Sequence, residues 1–261
     1  MPRLRGHVEA LANAILTAYF ELSYRLMDSA TGRALLETAS EPGAPPVHGY
    51  TDLADLRVLV ESLKPNHGSS VLDLGAGLGD VAIWLHQATG VRVIGVERSR
   101  RAVTAAHRQA AAAGVGDGVR FVVGDVMRGT PPASAAYALD SLMFARRPTA
   151  AIATAAIHLQ PHARLFATVI VVGRSSPASL HRSLVNEGLG VVRLEDVSVA
   201  MAARSRRRRV IAMQLARARP WTIADRGSLV LVWVEETMLF ALVRAGLARR
   251  YRVVVEAKRG R

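Results

Sequence analysis

Three glycines within five positions, Gly75, Gly77 and Gly79, follow a strand-forming run in the segment VLDLGAGLGD (71–80). An acid, Glu97, ends the next apolar run, VRVIGV (91–96), twenty residues after Gly77. Glycine removes the side chain where a backbone must turn sharply and lie against a bound molecule, so the loop reads as a ligand cradle at the end of a strand. In a βαβ unit the second strand brings its terminal carboxylate to the same carboxyl edge, where it accepts hydrogen bonds from ribose hydroxyls. A dinucleotide would need G-x-G-x-x-G and a helix N-terminus free for pyrophosphate. Here Asp80 stands three positions after Gly77, and an anion repels a pyrophosphate. These residues suit a nucleoside without phosphate, and S-adenosylmethionine, a nucleoside with a sulfonium and an amino acid tail, fits them.

VLDLGAGLGD, VIGVERS (93–99) and VRFVVGDVM (119–127) together resemble the first three motifs of the class I S-adenosylmethionine-dependent methyltransferases, over roughly residues 47–200. The resemblance implies that Glu97, followed by Arg98, binds the ribose and that Asp125, followed by Val126, meets the adenine amino group. It places Asp73 and the loop residues Gly75, Ala76 and Gly77 at the methionine end. YFELSYRLMDSATG (19–32) and VHGYTD (47–52) look like the YYD…HxGYW pattern of bacterial natural-product and small-molecule methyltransferases. That likeness makes Tyr50 a cofactor contact and Tyr19 and Tyr24 candidates for lining the substrate pocket, with Thr51 where the pattern has tryptophan. AYALDSLMFAR (136–146) is similar to a segment that often reads LDSLMH. On that likeness Asp140 stands beside the methionine or the substrate, and Phe144 occupies the place of a histidine able to act as base.

Losing that imidazole leaves two routes: another group takes the proton, or the reaction needs little base assistance. His48, His158, His162 and His181 remain available, and His48 is carried forward as the candidate. The mechanism common to the class needs no metal: the protein aligns a nucleophile in line with the S–CH3 bond, excludes water and deprotonates where required. An alkene or arene carbon as nucleophile would develop cationic charge, which carboxylates such as Glu235 or Glu236 could stabilise.

The elements that must position these groups follow from the hydrophobic pattern. Apolar runs near 70–74, 91–96, 119–123, 136–142, 164–172 and 190–195 alternate with helical segments, which predicts a doubly wound, Rossmann-like parallel sheet. Before it, residues 8–38 read as one or two helices, with Leu11, Ile15, Ala18, Leu22 and Leu26 at helical spacing, broken by EPGAPP (41–46). A helix over about 52–63 follows. LQPHARLFATVIVV (159–172) looks like the family's LxPGGRL turn and fifth strand, with His162 and Ala163 replacing both glycines. After it come a basic helical segment at 199–218, a second helix over about 228–245, and RRYRVVVEAKR as a closing strand. The resemblance makes that strand antiparallel, the seventh of the sheet, and the two late helices a cap over the site. The expected division is an N-terminal helical cover (1–50), a cofactor-binding core (51–198), a helical cap insertion (199–248) and a final core strand (249–261).

Composition narrows the function classes. The chain has 261 residues, 50% of them hydrophobic, enough for one α/β domain with an elaboration. It has no cysteine, so disulfides, thiolate metal sites and a cysteine nucleophile are all excluded. No apolar run reaches the roughly 18 residues a membrane span needs, and a cytoplasmic protein without a membrane partner is expected. The net charge of +13 is local: residues 1–150 hold 15 Lys and Arg against 14 Asp and Glu, residues 151–261 hold 19 against 7. It peaks in RSRRRR (204–209), which could follow a phosphate backbone. Only two of the 34 basic residues are lysine and only 5% of the chain is aromatic, so stacking platforms for unpaired bases are few. Methyl transfer to a small-molecule acceptor, through C, O or N, is therefore the leading reading. Two others stay open: an RNA methyltransferase using the basic half, and a cofactor-binding cyclase of the same fold. Consecutive arginines point around a helix, so most of the cluster is solvated, and any that turn inward could hold a phosphate, carboxylate or diphosphate of the substrate. A homodimer is compatible with the sequence.

Overall fold

The computed structural model describes residues 2–64, 69–127, 133–142, 145, 147–218 and 222–257. Seven strands run in the order β1 (Ser70–Leu74), β2 (Arg92–Glu97), β3 (Val119–Val123), β4 (Ala133–Leu139), β5 (Leu159–Val172), β6 (Leu189–Asp196) and β7 (Ala248–Ala257). They form one sheet in the spatial order β3-β2-β1-β4-β5-β7-β6, and β7 enters antiparallel between β5 and β6. The chain thus has the α/β, Rossmann-like seven-stranded sheet with its last strand reversed. The strand order reverses between β1 and β4, and the crevice outside the carboxyl ends there is where open α/β sheets bind ligands.

Each central strand is apolar on both faces because helices cover both. Along β1, Val71 packs with Leu56 and Leu59 of α3 (Leu53–Leu63), Ala82 and Leu85 of α4 (Asp80–Thr89), and Val103 and Ala106 of α5 (Arg100–Ala112). Its neighbour Leu72 faces the opposite layer, with Ile152 of α6 (Pro148–Ile157) and Leu180 and Leu184 of α7 (Pro177–Asn186). A third cluster lies off the sheet. There Tyr24 and Met27 of α1 (Pro2–Met27), Leu35 and Leu36 of α2 (Ala30–Ala39), Ile211 and Ala212 of α8 (Ser198–Ala218) and Leu229 and Val232 of α9 (Ile223–Arg244) meet Leu78 and Ala105. That cluster joins the N-terminal helices and the late helical insertion into a cover over the carboxyl edge. None of the described helices is long and apolar enough to cross a membrane.

Several elements depart from the sequence-based expectation. Strand β4 ends at Leu139, not 142, because Asp140 takes a left-handed φ of 55° and turns its N–H onto Thr168. Strand β5 starts at Leu159, five residues earlier than expected, and runs through the anticipated turn: His162 adopts φ 66° in place of the family's glycine. Helix α9 begins at Ile223 because Thr222 and Asp225 form a capping box. The apolar spacing on α1 that announces a helix is not its buried face. Ile15 and Leu22 are exposed, whereas Ser23, Tyr24 and Met27 are buried.

Candidate active site

The glycine loop leaves β1 with φ of 88° at Gly75 and 84° at Gly79, values that side chains with a Cβ rarely adopt. A Cβ on Gly79 would lie 2.6 Å from the Phe121 ring, and one on Gly75 would lie 2.4 Å from Ser141 Cβ. The loop is held by the Gly75 and Ala76 N–H groups, which donate to the Val96 carbonyl at 2.8 and 3.2 Å. Asp80 then opens α4, and its carboxylate takes two hydrogen bonds from Arg33 at 2.6 and 3.0 Å. The acid read from sequence as a repellent for pyrophosphate is thus paired with Arg33 and ties α2 to the loop.

Glu97 ends β2 at 7% exposure. Its Oε1 accepts from Ser99 N–H at 2.9 Å, and its Oε2 accepts from Gly77 N–H at 3.1 Å and from the Tyr24 hydroxyl at 3.3 Å. Tyr24 from α1 thereby stands over Gly77, its ring 3.4 Å from the position of a Cβ there. Arg98, next in sequence, is exposed; Asp125 and Val126 are half-buried past β3, with Met127 N–H donating to Asp125 at 3.0 Å. In β1, just before the loop, burial pushes the Asp73 carboxyl up to about 7, and the neighbouring Glu97 charge adds to the shift. A cation bound beside Asp73 favours its ionised form. A buried carboxylate beside a glycine-rich loop fits the ribose and amino acid of S-adenosylmethionine. Replacing Glu97 with alanine removes those hydrogen bonds. It is expected to weaken S-adenosylhomocysteine binding about 100-fold, the equivalent of about 3 kcal/mol, in calorimetric titration, while Arg98→Ala stays near wild type.

Beyond the loop, Ser141 donates to the Leu74 carbonyl at 2.5 Å, and Asp140 precedes it. Asp140 is buried with both oxygens occupied: Oδ1 accepts from Thr168 at 3.0 Å and Arg250 Nε at 2.9 Å, and Oδ2 from Tyr50 N–H at 2.9 Å and Arg250 Nη2 at 3.1 Å. Arg250 also donates to Asp55 at 2.8 Å, and Arg252 bridges Asp55 to Glu195 at 2.8 and 2.7 Å. Burial alone would lower Arg250, but Asp140 and Asp55 raise it above its ordinary value. The acid expected beside the cofactor is thus a fixed anchor for the 48–50 segment rather than a free proton acceptor. The network was missed from sequence, although Arg250 and Arg252 alternate on one face of β7, as a strand requires.

His48, held by that segment, meets side chains from α1 and α9. Its Nε2 lies 3.4 Å from Ser23 Oγ and 3.6 Å from Glu235 Oε2. The Tyr19 hydroxyl donates to Glu235 Oε1. Burial alone would raise Glu235, yet His48, the Tyr19 hydroxyl and the Arg208 charge hold it below the usual carboxylate range. Burial and the nearby carboxylates drive Tyr19, Tyr24 and Tyr50 above the ordinary phenol value, so all three stay neutral. Glu236 points elsewhere, into a buried ion pair with Arg208 at 2.9 Å. Arg208 Nη1 also donates to the carbonyls of His48 at 2.8 Å and Gly49 at 3.2 Å. Tyr50 packs against the cluster of Ile170, Met201 and Ala248, which Leu239 and Leu242 of α9 also cover. Phe144 lies outside the described residues. His158, at the end of α6, and His162, inside β5, are carried away from this cluster.

Helix α1 spans the site. Tyr24 touches Glu97, and Tyr19, five residues earlier, touches Glu235, about 7–8 Å along the axis.

Residues 71–162 match the model of a family described as a methyltransferase domain. Solved structures share the fold. The [4+2]-cyclase SpnF superposes with a TM-score of 0.63 at 22% identity, over 79% of this chain and 82% of that one. A S-adenosylmethionine-dependent methyltransferase from Thiobacillus denitrificans, in complex with S-adenosyl-L-homocysteine, gives 0.62 at 18%, over 81% and 94%. Geranyl diphosphate C-methyltransferase from Streptomyces coelicolor A3(2), in complex with Mg2+, geranyl diphosphate and S-adenosyl-L-homocysteine, gives 0.60 at 15%, over 78% and 79%.

Proposed function

We propose that this chain, a class I S-adenosylmethionine-dependent methyltransferase by its domain and fold, moves the methyl group to a small-molecule, secondary-metabolite acceptor, with His48 as the proton acceptor. The observation that supports this most is the placing of His48 between Ser23 and Glu235 beneath the cap. When bound, the cofactor supplies a methyl group already activated by its sulfonium. The chain's own task is to hold, orient and dry the acceptor. Glu235 faces Nε2 of His48, which favours the tautomer protonated there and leaves the Nδ1 lone pair basic. Tyr19, as a neutral phenol, donates to the other oxygen of Glu235 and fixes the carboxylate. Arg208 neutralises Glu236 and clamps the His48 and Gly49 carbonyls, so the imidazole is carried on an immobilised backbone. For an oxygen or nitrogen acceptor, His48 takes the proton of the nucleophile. For a carbon acceptor it takes the proton lost from the cationic intermediate, with the Glu235 charge nearby to stabilise it.

The nucleic-acid alternative loses support because Arg204 and Arg208 are buried and Arg209 lies over the Phe240 ring at 5.1 Å, leaving Arg206 and Arg207 as the exposed members of the run. Incubation with methyl-labelled cofactor and separate pools of RNA and small-molecule extract tests the reading. Label is expected in the extractable small molecules. Label in RNA contradicts the proposal, and so does conversion of an extract component without formation of S-adenosylhomocysteine, the behaviour of a cyclase.

A further inference from the structure

Helix α8 turns Met201, Arg204, Ser205, Arg208, Ile211 and Ala212 inward, the i, i+3, i+4, i+7 pattern of one helix face, while Arg206 and Arg207 point outward. Four described arginines are buried, and three of them have carboxylate partners: Arg208 has Glu236 at 2.9 Å, Arg250 has Asp55 and Asp140 at 2.8 and 2.9 Å, and Arg252 has Asp55 and Glu195 at 2.8 and 2.7 Å. Arg204 is 9% exposed and has no carboxylate within ion-pair distance among the described residues. Its Nε has no hydrogen-bond partner either, nor have Ser205 Oγ, Arg208 Nε and Nη2, Glu236 Oε2 and Thr237 Oγ1, all buried. Unpaired buried polar groups are costly, and a buried unpaired cation most of all. Here they gather on facing turns of α8 and α9 beside the candidate base. Arg208 is paired directly with Glu236, whereas the Arg204 charge is opposed only at longer range, by Glu236 and Asp52. Burial, with the Arg208 charge added, pulls the Arg204 guanidinium down to about 10.

We infer that this face of α8 is an anion site for the methyl acceptor: Arg204, with Ser205 and the unbonded edge of Arg208, receives a carboxylate or phosphate group of the substrate. The inference rests on the small-molecule reading above and narrows it to anionic acceptors. A guanidinium offers five donors in a planar fork that matches either anion, and one bound anion gives Arg204 the direct partner it lacks. The site lies next to the chemistry. Arg208, one helical turn from Arg204, about 5–6 Å, grips the backbone of His48, so an anion on Arg204 and a reacting atom at His48 belong to one compact molecule beneath the cap. The outward arginines take no part.

The test uses the chain saturated with S-adenosylhomocysteine, and follows thermal unfolding as inorganic phosphate or acetate replaces chloride at constant ionic strength. Wild type is expected to gain stability with at least one of the two anions, and the arm that responds says whether a tetrahedral or a planar group is preferred. Arg204→Met is expected to unfold at the same temperature as wild type or higher in chloride, because an unpaired buried charge has been removed. Its apparent affinity for the anion should fall about tenfold or more. Arg204→Lys should retain part of the response, and the Arg206→Ala/Arg207→Ala double variant all of it. An Arg204→Met chain that responds like wild type overturns the inference. So does one that unfolds well below wild type or fails to fold, since Arg204 would then be a structural residue. Failure of the small-molecule reading would show separately, as label entering RNA in wild type whatever the anion response.

Discussion

A chain with His48 replaced by asparagine is expected to keep its cofactor and lose its turnover. General base assistance contributes about 100-fold to 10,000-fold, so kcat should fall by about two decades or more. The Kd for S-adenosylhomocysteine should hold, because the His48 side chain meets Ser23 and Glu235, whereas Glu97 is held by Ser99, Gly77 and Tyr24. A further readout separates a base from a packing residue. Glu235→Gln should give an intermediate loss in kcat, since it keeps the size of the side chain and removes the charge that orients the imidazole. An unchanged kcat in His48→Asn would return the proton to solvent or substrate and leave the cluster a structural one.

The second large effect is on stability. Arg250→Met leaves Asp140 and Asp55 buried without their shared cation, and breaking a buried pair in this way costs about 3–5 kcal/mol. At about 2–4 °C per kcal/mol for a chain near this size, the midpoint of thermal unfolding should drop by about 10 °C. Function should suffer beyond that loss. Asp140 Oδ2 accepts the Tyr50 N–H, so a displaced Asp140 frees the segment that carries His48, and kcat should fall at temperatures where the variant is still folded. A midpoint within about 2 °C of wild type would mean that the network contributes geometry without stability, as some buried ion pairs do.

What could be read from the sequence was local. VLDLGAGLGD and Glu97 lie within twenty-seven residues of one another, their glycines and acid are set by one βαβ unit, and the structure puts them on the same sheet edge. The alternation of strands and helices was equally legible because each element carries its own period. What escaped depends on contacts between distant segments. Tyr19, His48 and Glu235 come from three stretches separated by up to 216 positions, and nothing in any one of them announces the others. Phe144 stood, by the family likeness, where a base is expected, and the sequence around it did not point to His48. Asp80 was legible as a repellent for phosphate and not as the partner of Arg33. The arginines misled through their number: in a chain with 34 basic residues, the four that matter inside the fold differ from the rest only in the helix face or strand parity they occupy. Where a local rule was broken, as at Asp140 and His162 with positive φ, the sequence reading placed a strand boundary wrongly.

The most direct measurement is a calorimetric titration of the purified chain with S-adenosylmethionine and S-adenosylhomocysteine, alongside Glu97→Ala. One molecule should bind per wild-type chain, with the affinity for S-adenosylhomocysteine falling about 100-fold in the variant, as expected for a buried carboxylate holding the ribose. Absence of binding to either ligand by a folded wild-type chain would contradict the account at its root.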